Sequence, residues 1–323
     1  MELLLLGFAV IITTVSLLLV EASQEQKITL DLAKYALAYT GLFLIAHLAI
    51  RRYAPYADPL LLPIVALLNG LGLVLIHRLD LADEQTALYN GVEAPSPDAN
   101  QQVMWTALAI TGFVLLLVFL KDYRLMARFS YTLGLAGLVF LAIPAILPAK
   151  FSSVNGAKIW IRLPGFSIQP GEFAKILLII FFASVLVAKR DLFTSAGKHF
   201  LGMDFPRARD LGPILLAWIV SVGVLVFETD LGTSLLLFST VLVMLYIATE
   251  RVGWLVIGGG LLAIGFFFAY KMFGHVRVRV DTWLDPLGDY ANTGYQISQS
   301  LFGLATGGIA GTGLGSEIGR AHV

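Results

Sequence analysis

Long apolar segments constrain what this chain can fold into more than any other feature of its sequence. About nine of them approach or reach the ~20 residues that a helix needs to cross a bilayer. They lie near residues 3–21, 33–50, 59–77, 102–120, 130–148, 172–189, 211–227, 230–248 and 252–272. Hydrophobic residues make up 58% of the 323 positions, which is too many for a soluble fold of ordinary composition. The sequence therefore predicts an all-α fold class, a polytopic transmembrane helix bundle.

The connections between these segments predict their orientation. Basic residues are enriched in cytoplasmic connections. Alternate connections here are basic, and they fall on the cytoplasmic side if the N-terminus does: Arg51–Arg52, Lys121 with Arg124 and Arg128, the stretch 189–209, and Arg251. The acidic stretch 79–100, the loop 148–171 and the segment 275–315 then lie outside. We expect a multi-pass membrane protein with a large functional extracytoplasmic loop.

The segment from His275 to Gly315 concentrates polar side chains in an otherwise apolar chain. Asp285 and Asp289 are four residues apart across Pro286 and Gly288, a composition that predicts a turn. A carboxylate close to cations stays ionised and can accept a proton from a hydroxyl nucleophile. The segment is therefore a candidate catalytic loop, with a purely turn-forming role for Asp285 as the alternative.

Basic residues in the outer loops form a second candidate feature. Lys158 lies in one outer loop, and Arg277 and Arg279 lie in another, where the orientation rule disfavours cations. Arg and Lys neutralise phosphate oxygens, so these residues are candidate ligands of a lipid-linked phosphate. Solvated surface charges are the alternative interpretation.

A further acid and base lie at the expected start of a helix. Pro170 is typical of a first helical position, and Glu172 and Lys175 lie three residues apart on one face of that helix. A local ion pair and a substrate-facing role both fit this spacing. Asp230 is interpreted as the N-cap of a later helix rather than as a catalytic group.

Other classes of site find no support in the sequence. The chain has no cysteine, and its five histidines never occur at a ligand spacing, so no metal site is predicted. His47 and His77 are interpreted as polar residues at helix ends. The formal net charge is zero, which gives no indication of a nucleic-acid partner.

Four ordered motifs carry a resemblance to a known family. They are Asn155-Gly156-Ala157-Lys158-x-Trp160, Gln169-Pro170-x-Glu172-Phe173-Ala174-Lys175, Asp230-Leu231-Gly232-Thr233-Ser234, and Asp285-Pro286-x-x-Asp289 followed by Gly294-Tyr295-Gln296. With them the chain resembles the SEDS proteins, the RodA, FtsW and SpoVE group of peptidoglycan glycosyltransferases. The resemblance is closest to RodA, and two helices precede the family's usual first one, as in actinobacterial members.

The resemblance implies an activity and its residues. A SEDS protein in the bacterial plasma membrane polymerises lipid II into glycan strands during elongation or division, releasing undecaprenyl diphosphate, beside a class B penicillin-binding protein. The family's essential acid matches Asp289 by spacing, or Asp285 if the alignment is anchored on Asp-Pro-Leu-Gly. The residues that match substrate-binding positions of the family are Lys158, Glu172, Lys175, Arg277, Arg279, Asp285 and Gln296. Involvement of a divalent cation is left open, as are a lipid II carrier or flippase and a scaffold for the penicillin-binding protein.

The same resemblance divides the chain into segments. Residues 1–58 are expected to form an extension of two transmembrane helices, and residues 59–316 the SEDS core. The family pattern continues with about three more spanning helices. Residues 317–323 resemble a translated sequencing adapter, so we expect the core to be truncated there.

Overall fold

The computed structural model describes residues 1–23, 30–120, 122–154, 157–163, 166–188, 198–200, 203–205, 219, 223, 231–309, 311 and 313. Helices dominate these ranges: α1 Glu2–Ser23, α2 Leu30–Tyr53, α3 Leu61–Asn90, α4 Asp98–Phe119, α5 Arg124–Arg128, α6 Ser130–Ile146, α7 Ala149–Ser152, α8 Pro170–Ala188, α9 Leu231–Thr249, α10 Gly253–Met272, α11 Gly274–Leu284 and α12 Tyr295–Gly307. Three short antiparallel strand pairs complete them: β1 Ser153–Val154 with β2 Ala157–Lys158, β3 Ile161–Leu163 with β4 Phe166–Ile168, and β5 Lys198–Phe200 with β6 Met203–Phe205.

Within these ranges, seven helices are long and apolar enough to cross a membrane, namely α1, α2, α3, α4, α8, α9 and α10. Helix α6 is also apolar but has 17 residues. The segment predicted near 211–227 lies outside the described residues. The predicted all-α, polytopic membrane class is confirmed.

Helix α3 is longer than its apolar segment indicated. We predicted its end near residue 77 and an acidic loop beyond, but the helix runs to Asn90 and contains Asp80 and Glu84. Its last turns mix charged and polar residues with Leu and Ala, which favour helices. It ends at Gly91, whose φ of 65° gives the left-handed cap that glycine adopts without strain. Falling hydropathy therefore marked the edge of the apolar stretch and not the end of the helix.

Asp80 explains how the start of α4 is held. Its Oδ1 accepts a hydrogen bond from the backbone N–H of Asp98 at 2.9 Å, and its Oδ2 accepts one from Ala99 at 2.8 Å. These are the first two N–H groups of α4, which have no partner inside that helix. A carboxylate there also complements the helix dipole. The acidic residue predicted to lie in a loop therefore joins α3 to α4.

The chain forms two compact units, residues 1–121 with 281–323 and residues 122–280, here called unit 1 and unit 2. The core of unit 1 lies among α1 to α4 and includes Leu17, Tyr39, Ala66 and Leu73. The Tyr39 hydroxyl donates a 2.6 Å hydrogen bond to the carbonyl of Ala66 and so joins α2 to α3.

The core of unit 2 is built where α6 packs on α8. A Cβ atom at Gly134 would lie 2.7 Å from Cγ of Phe181, and one at Gly137 would lie 2.9 Å from Cγ of Leu178. Small residues let helices in membranes approach closely. The two glycines therefore fix how closely α6 lies against α8, and α9 extends the same core with Leu237.

Unit 1 also buries charged side chains, contrary to our interpretation of its histidines as helix-end residues. His47 Nδ1 lies 2.8 Å from Glu2 Oε1, and Arg51 Nη2 lies 2.7 Å from Glu2 Oε2. His77 Nε2 lies 3.4 Å from Glu21 Oε1. Both glutamates are 1% exposed. The interpretation failed because Glu2 and Glu21 lie far from these histidines in sequence and are brought to them only by packing of α1.

Candidate functional site

The two candidate acids lie on one compact turn between α11 and α12, as the sequence predicted. Asp285 Oδ1 accepts the backbone N–H of Gly288 at 3.1 Å. The backbone carbonyl of Asp289 accepts the N–H of Gly294 at 2.9 Å. The long polar segment is not an irregular loop throughout, however, because α11 and α12 occupy much of it.

Asp289 is the most strongly hydrogen-bonded group of this turn. Its Oδ1 accepts Asn292 Nδ2 at 2.8 Å, while its Oδ2 accepts the Thr293 hydroxyl at 2.8 Å and the Thr293 N–H at 3.2 Å. The bond from Asn292, followed by those from Thr293, holds the pKa of the Asp289 carboxyl below its usual range. The group is fully exposed. Asp289 is therefore an ionised carboxylate of fixed orientation that a solvent-borne ligand can reach.

Sequence reasoning missed the two residues that hold this carboxylate. Asn292 and Thr293 follow Asp289 by three and four positions. Short side chains at such offsets commonly form local hydrogen bonds with an aspartate. That local pattern was the available signal, and it is visible in the sequence.

The start of α12 is tied to the same turn. Ser298, which is fully buried, donates its hydroxyl to the carbonyl of Pro286 at 2.8 Å. Gln296 is exposed in the first helical turn. The structure thus places Asp285, Asp289 and Gln296 in one short region of unit 1.

Glu172 and Lys175 lie in unit 2, in the first turns of α8, which begins at Pro170 as predicted. Lys175 Nζ donates to Glu172 Oε1 at 2.8 Å. Of the two interpretations that the spacing allowed, the local ion pair is therefore present. The Glu172 side chain is 56% exposed, so the pair is open to solvent and contributes little to stability.

The other candidate cations also lie in unit 2. Arg277 donates from Nη2 to the carbonyl of Lys271 at 3.2 Å and lies over the ring of Tyr270. Arg279 is exposed, and Lys158 is half-buried on β2. Neither side chain forms a hydrogen bond or ion pair with another residue in the described ranges. Arg279 and Lys158 therefore remain open to an anionic ligand, whereas Arg277 is partly engaged.

Chemically, the turn in unit 1 offers an oriented carboxylate, and unit 2 offers cations. The first can accept a proton or bind a cation, and the second can bind phosphate oxygens. Across the described ranges, no group of three or more His, Asp or Glu is arranged to hold a metal ion. Asp230, the expected N-cap, lies outside the described residues.

Comparison with known families gives one match over most of the chain. The FtsW, RodA and SpoVE family model, described as a cell cycle protein, matches residues 59–321. The match includes both candidate acids and all the candidate substrate-binding residues. It begins just before α3, so α1 and α2 precede it.

Individual relatives agree with that match. The chain is 63% identical over 98% of its length to a protein of Mycobacterium tuberculosis named peptidoglycan glycosyltransferase RodA, and 59% identical to its namesake in Mycobacterium leprae. A probable peptidoglycan glycosyltransferase FtsW of Trichlorobacter lovleyi is 30% identical over 82% of the chain. The chain spans 66% of the length of the two RodA proteins.

Among solved structures, one chain of a peptidoglycan synthase complex aligns with 85% of this chain and 66% of its own length. The TM-score is 0.45 at 23% identity.

Proposed function

The chain belongs to the FtsW, RodA and SpoVE family of cell cycle proteins, and we propose that it polymerises lipid II into peptidoglycan glycan strands. The observation that carries this proposal is the 63% identity, across 98% of the chain, to a protein named peptidoglycan glycosyltransferase. The oriented, ionised carboxylate of Asp289 supports it from the structure, since a glycosyl transfer of this kind needs an acceptor for a hydroxyl proton.

The proposed reaction joins two sugars. The 4-hydroxyl oxygen of one sugar forms a bond to the anomeric carbon of another, and the bond from that carbon to the diphosphate oxygen breaks. The diphosphate leaves with the electron pair as undecaprenyl diphosphate, and the hydroxyl proton passes to the Asp289 carboxylate. The low pKa of Asp289 keeps it ionised and ready to accept, but makes it a weak base. Proton transfer is therefore expected to accompany bond formation rather than precede it.

Cations would stabilise the departing diphosphate. Arg279 and Lys158, which carry no ion pair to another described residue, are our first candidates, and Arg277 the next. Lys175 and Glu172 already neutralise each other, so we assign them to orientation of the local chain or of a neutral part of the substrate. Gln296 offers an amide to a sugar hydroxyl.

We further propose a bacterial plasma-membrane location with the Asp289 turn on the outer face, where lipid II is polymerised. A class B penicillin-binding protein is the proposed partner, because a transpeptidase must cross-link the new strands. Whether the protein serves elongation or division is a separate question, for which the higher identity to RodA than to FtsW proteins favours elongation. We assign residues 1–58 to an extension and residues 59–316, within the family match, to the SEDS core.

The test is lipid II polymerisation by the purified protein with its penicillin-binding partner, comparing Asp289→Asn with Asp285→Asn. Asparagine keeps the shape of the side chain and one acceptor oxygen, so the turn should persist while the charge is lost. We expect Asp289→Asn to lower the rate about 10²- to 10⁴-fold, the usual contribution of a general base. Asp285→Asn should retain most of the activity.

Four other outcomes would contradict parts of this proposal. Loss of activity in Asp285→Asn alone would move the catalytic role to Asp285. Normal polymerisation by both variants would remove the acid from the mechanism. Absence of polymerisation by the wild-type protein, with lipid II binding intact, would favour the carrier or flippase alternative, and absence of both would favour a scaffold.

A further inference from the structure

An apolar cavity of about 410 Å³ lies within unit 1 between α2, α3 and α4. Its inner wall includes the buried side chains of Phe43, Ala46 and Ile110. Its edge includes Val65 of α3 and Phe113 of α4, which are exposed. The volume falls within the range of small-ligand pockets, about 300–1,000 Å³. Because the exposed edge residues lie on spanning helices, the cavity opens sideways toward lipid.

The polar groups of the cavity are already satisfied. Asn69 donates from Nδ2 to the Thr106 hydroxyl at 3.2 Å, and that hydroxyl donates to the carbonyl of Gln102 at 2.8 Å. Asp58 accepts the backbone N–H of Leu60 at 2.9 Å. A cluster of waters needs two to four polar partners per molecule, which this lining does not offer. An apolar occupant fits it better.

The length of the cavity matches one leaflet of a bilayer. On α2 its lining runs from residue 43 to residue 50 and continues to Ala54 just past the end of the helix, and on α4 it runs from residue 106 to residue 117. At 1.5 Å per residue, the α4 stretch is about 16 Å long. The hydrocarbon core of a bilayer is about 30 Å thick. The cavity therefore suits a single chain that enters from one membrane surface and ends near the midplane.

Two arginines lie beside the surface end of the cavity, whose lining there also includes Asp58. Arg51 and Arg52 follow the lining residue Ile50 at the end of α2. Arg51 binds Glu2 and keeps 45% of its side chain exposed. Arg52 forms no ion pair with any described residue and lies 5.6 Å from the ring of Tyr53. Basic residues beside an apolar site between spanning helices are typical of sites for anionic lipid headgroups.

We propose that this cavity binds one acyl chain of an anionic bilayer phospholipid, with the headgroup at the Arg51–Arg52 end. The family model begins at residue 59, whereas Phe43, Ala46 and Ile50 precede it. The site is therefore built jointly by the N-terminal extension and the first family helices. It is separate from the turn that carries Asp289, and it does not depend on the proposed polymerisation.

The test uses photoreactive lipids in vesicles containing the whole protein. Phosphatidylglycerol and phosphatidylcholine carrying a diazirine near the end of one acyl chain, and a diazirine-bearing polyprenyl phosphate, are each crosslinked, and the labelled peptides are identified by mass spectrometry. We expect phosphatidylglycerol to label the cavity lining on α2, α3 and α4, with attachment near Asn69 and Thr106. Arg52→Gln should lower its preference over phosphatidylcholine about fivefold, the effect of one basic residue at a lipid surface.

A matched pair of variants tests whether the cavity itself is responsible. Ala109 and Leu108 are adjacent exposed residues of α4, but only Ala109 lines the cavity. Ala109→Trp should remove most of the labelling, whereas Leu108→Trp should leave it unchanged, and neither fills a packed core. Equal labelling of both variants would overturn the proposal. So would equal labelling by the two phospholipids, or stronger labelling by the polyprenyl phosphate.

Discussion

At the scale of single residues, the carboxylate of Asp289 depends on its two neighbours. Asn292 and Thr293 supply three hydrogen bonds and lower its pKa. A lowered pKa keeps the ionised form, and any activity that needs it, down to a lower pH than an ordinary aspartate would. The stabilisation that the three hydrogen bonds give to the ionised carboxylate is therefore fully present above the usual aspartate pKa. It is lost as the pH falls through the lowered pKa of Asp289.

Thr293→Val should therefore raise the pKa of Asp289, because it removes the hydroxyl donor. The acidic limb of the rate profile for polymerisation should move to higher pH, with the rate near neutral pH little changed. The measurement is initial rate from about pH 3 to about pH 7, which brackets the ordinary aspartate value. Thr306→Val on α12 is the control, since its hydroxyl bonds only to backbone carbonyls of its own helix. An unchanged limb in Thr293→Val would refute a link between this bond and the reaction.

At the scale of elements, two glycines set the packing of α6 against α8. Gly134→Val should destabilise the fold by about 1–3 kcal/mol, because the added atoms would meet Phe181 and the helices would have to separate. Gly112→Val on α4 is the control, since a Cβ there meets nothing within 4 Å. The free energies of unfolding in mixed micelles, measured by detergent titration, give the comparison. Equal losses in the two variants would show that helix propensity, and not packing, is responsible.

The sequence predicted elements where they carry a local signal. Apolar length predicted the spanning helices, and Pro170 predicted the start of α8. The end of α3 could not be predicted, because its last turns mix Leu and Ala with charged residues and do not continue the apolar segment. The partnership of Asp80 with the start of α4 joins residues 18 positions apart, and burial of Glu2 against His47 joins residues 45 apart. Such contacts arise from packing, which no local pattern encodes.

At the scale of the whole molecule, the absence of cysteine makes the proposed orientation directly measurable. Ser96 lies between α3 and α4. A Ser96→Cys variant should react with a membrane-impermeant maleimide in intact cells. Tyr56→Cys lies between α2 and α3, is fully exposed, and should react only after the membrane is permeabilised. The physical reason is the concentration of Arg and Lys in the connections on the Tyr56 side. Labelling in the reverse order would invert the topology and place the Asp289 turn inside the cell.

In the candidate site too, some features could be predicted from the sequence and others only from the structure. Asp285, Asp289 and Gln296 could be chosen from motif spacing, and unit 1 brings them to one turn and the helix that follows it. The candidate cations could be identified by residue type, but which of them already bind another group of the protein could not be predicted. Only the structure distinguishes Arg277, bound to the carbonyl of Lys271, from Arg279, which has no such bond to a described residue.

The 30 residues of α3 have a mechanical consequence. At 1.5 Å per residue the helix is about 45 Å long, roughly 15 Å more than the hydrocarbon core that it crosses. The charges of Asp80 and Glu84 favour projection of the excess beyond the lipid over a steep tilt. A rigid helical projection then stands at this membrane surface, where a loop was predicted. Each residue inserted into that projection would turn its tip by about 100° and lift it by 1.5 Å, so helical phase sets the position of the Asn90 end of α3.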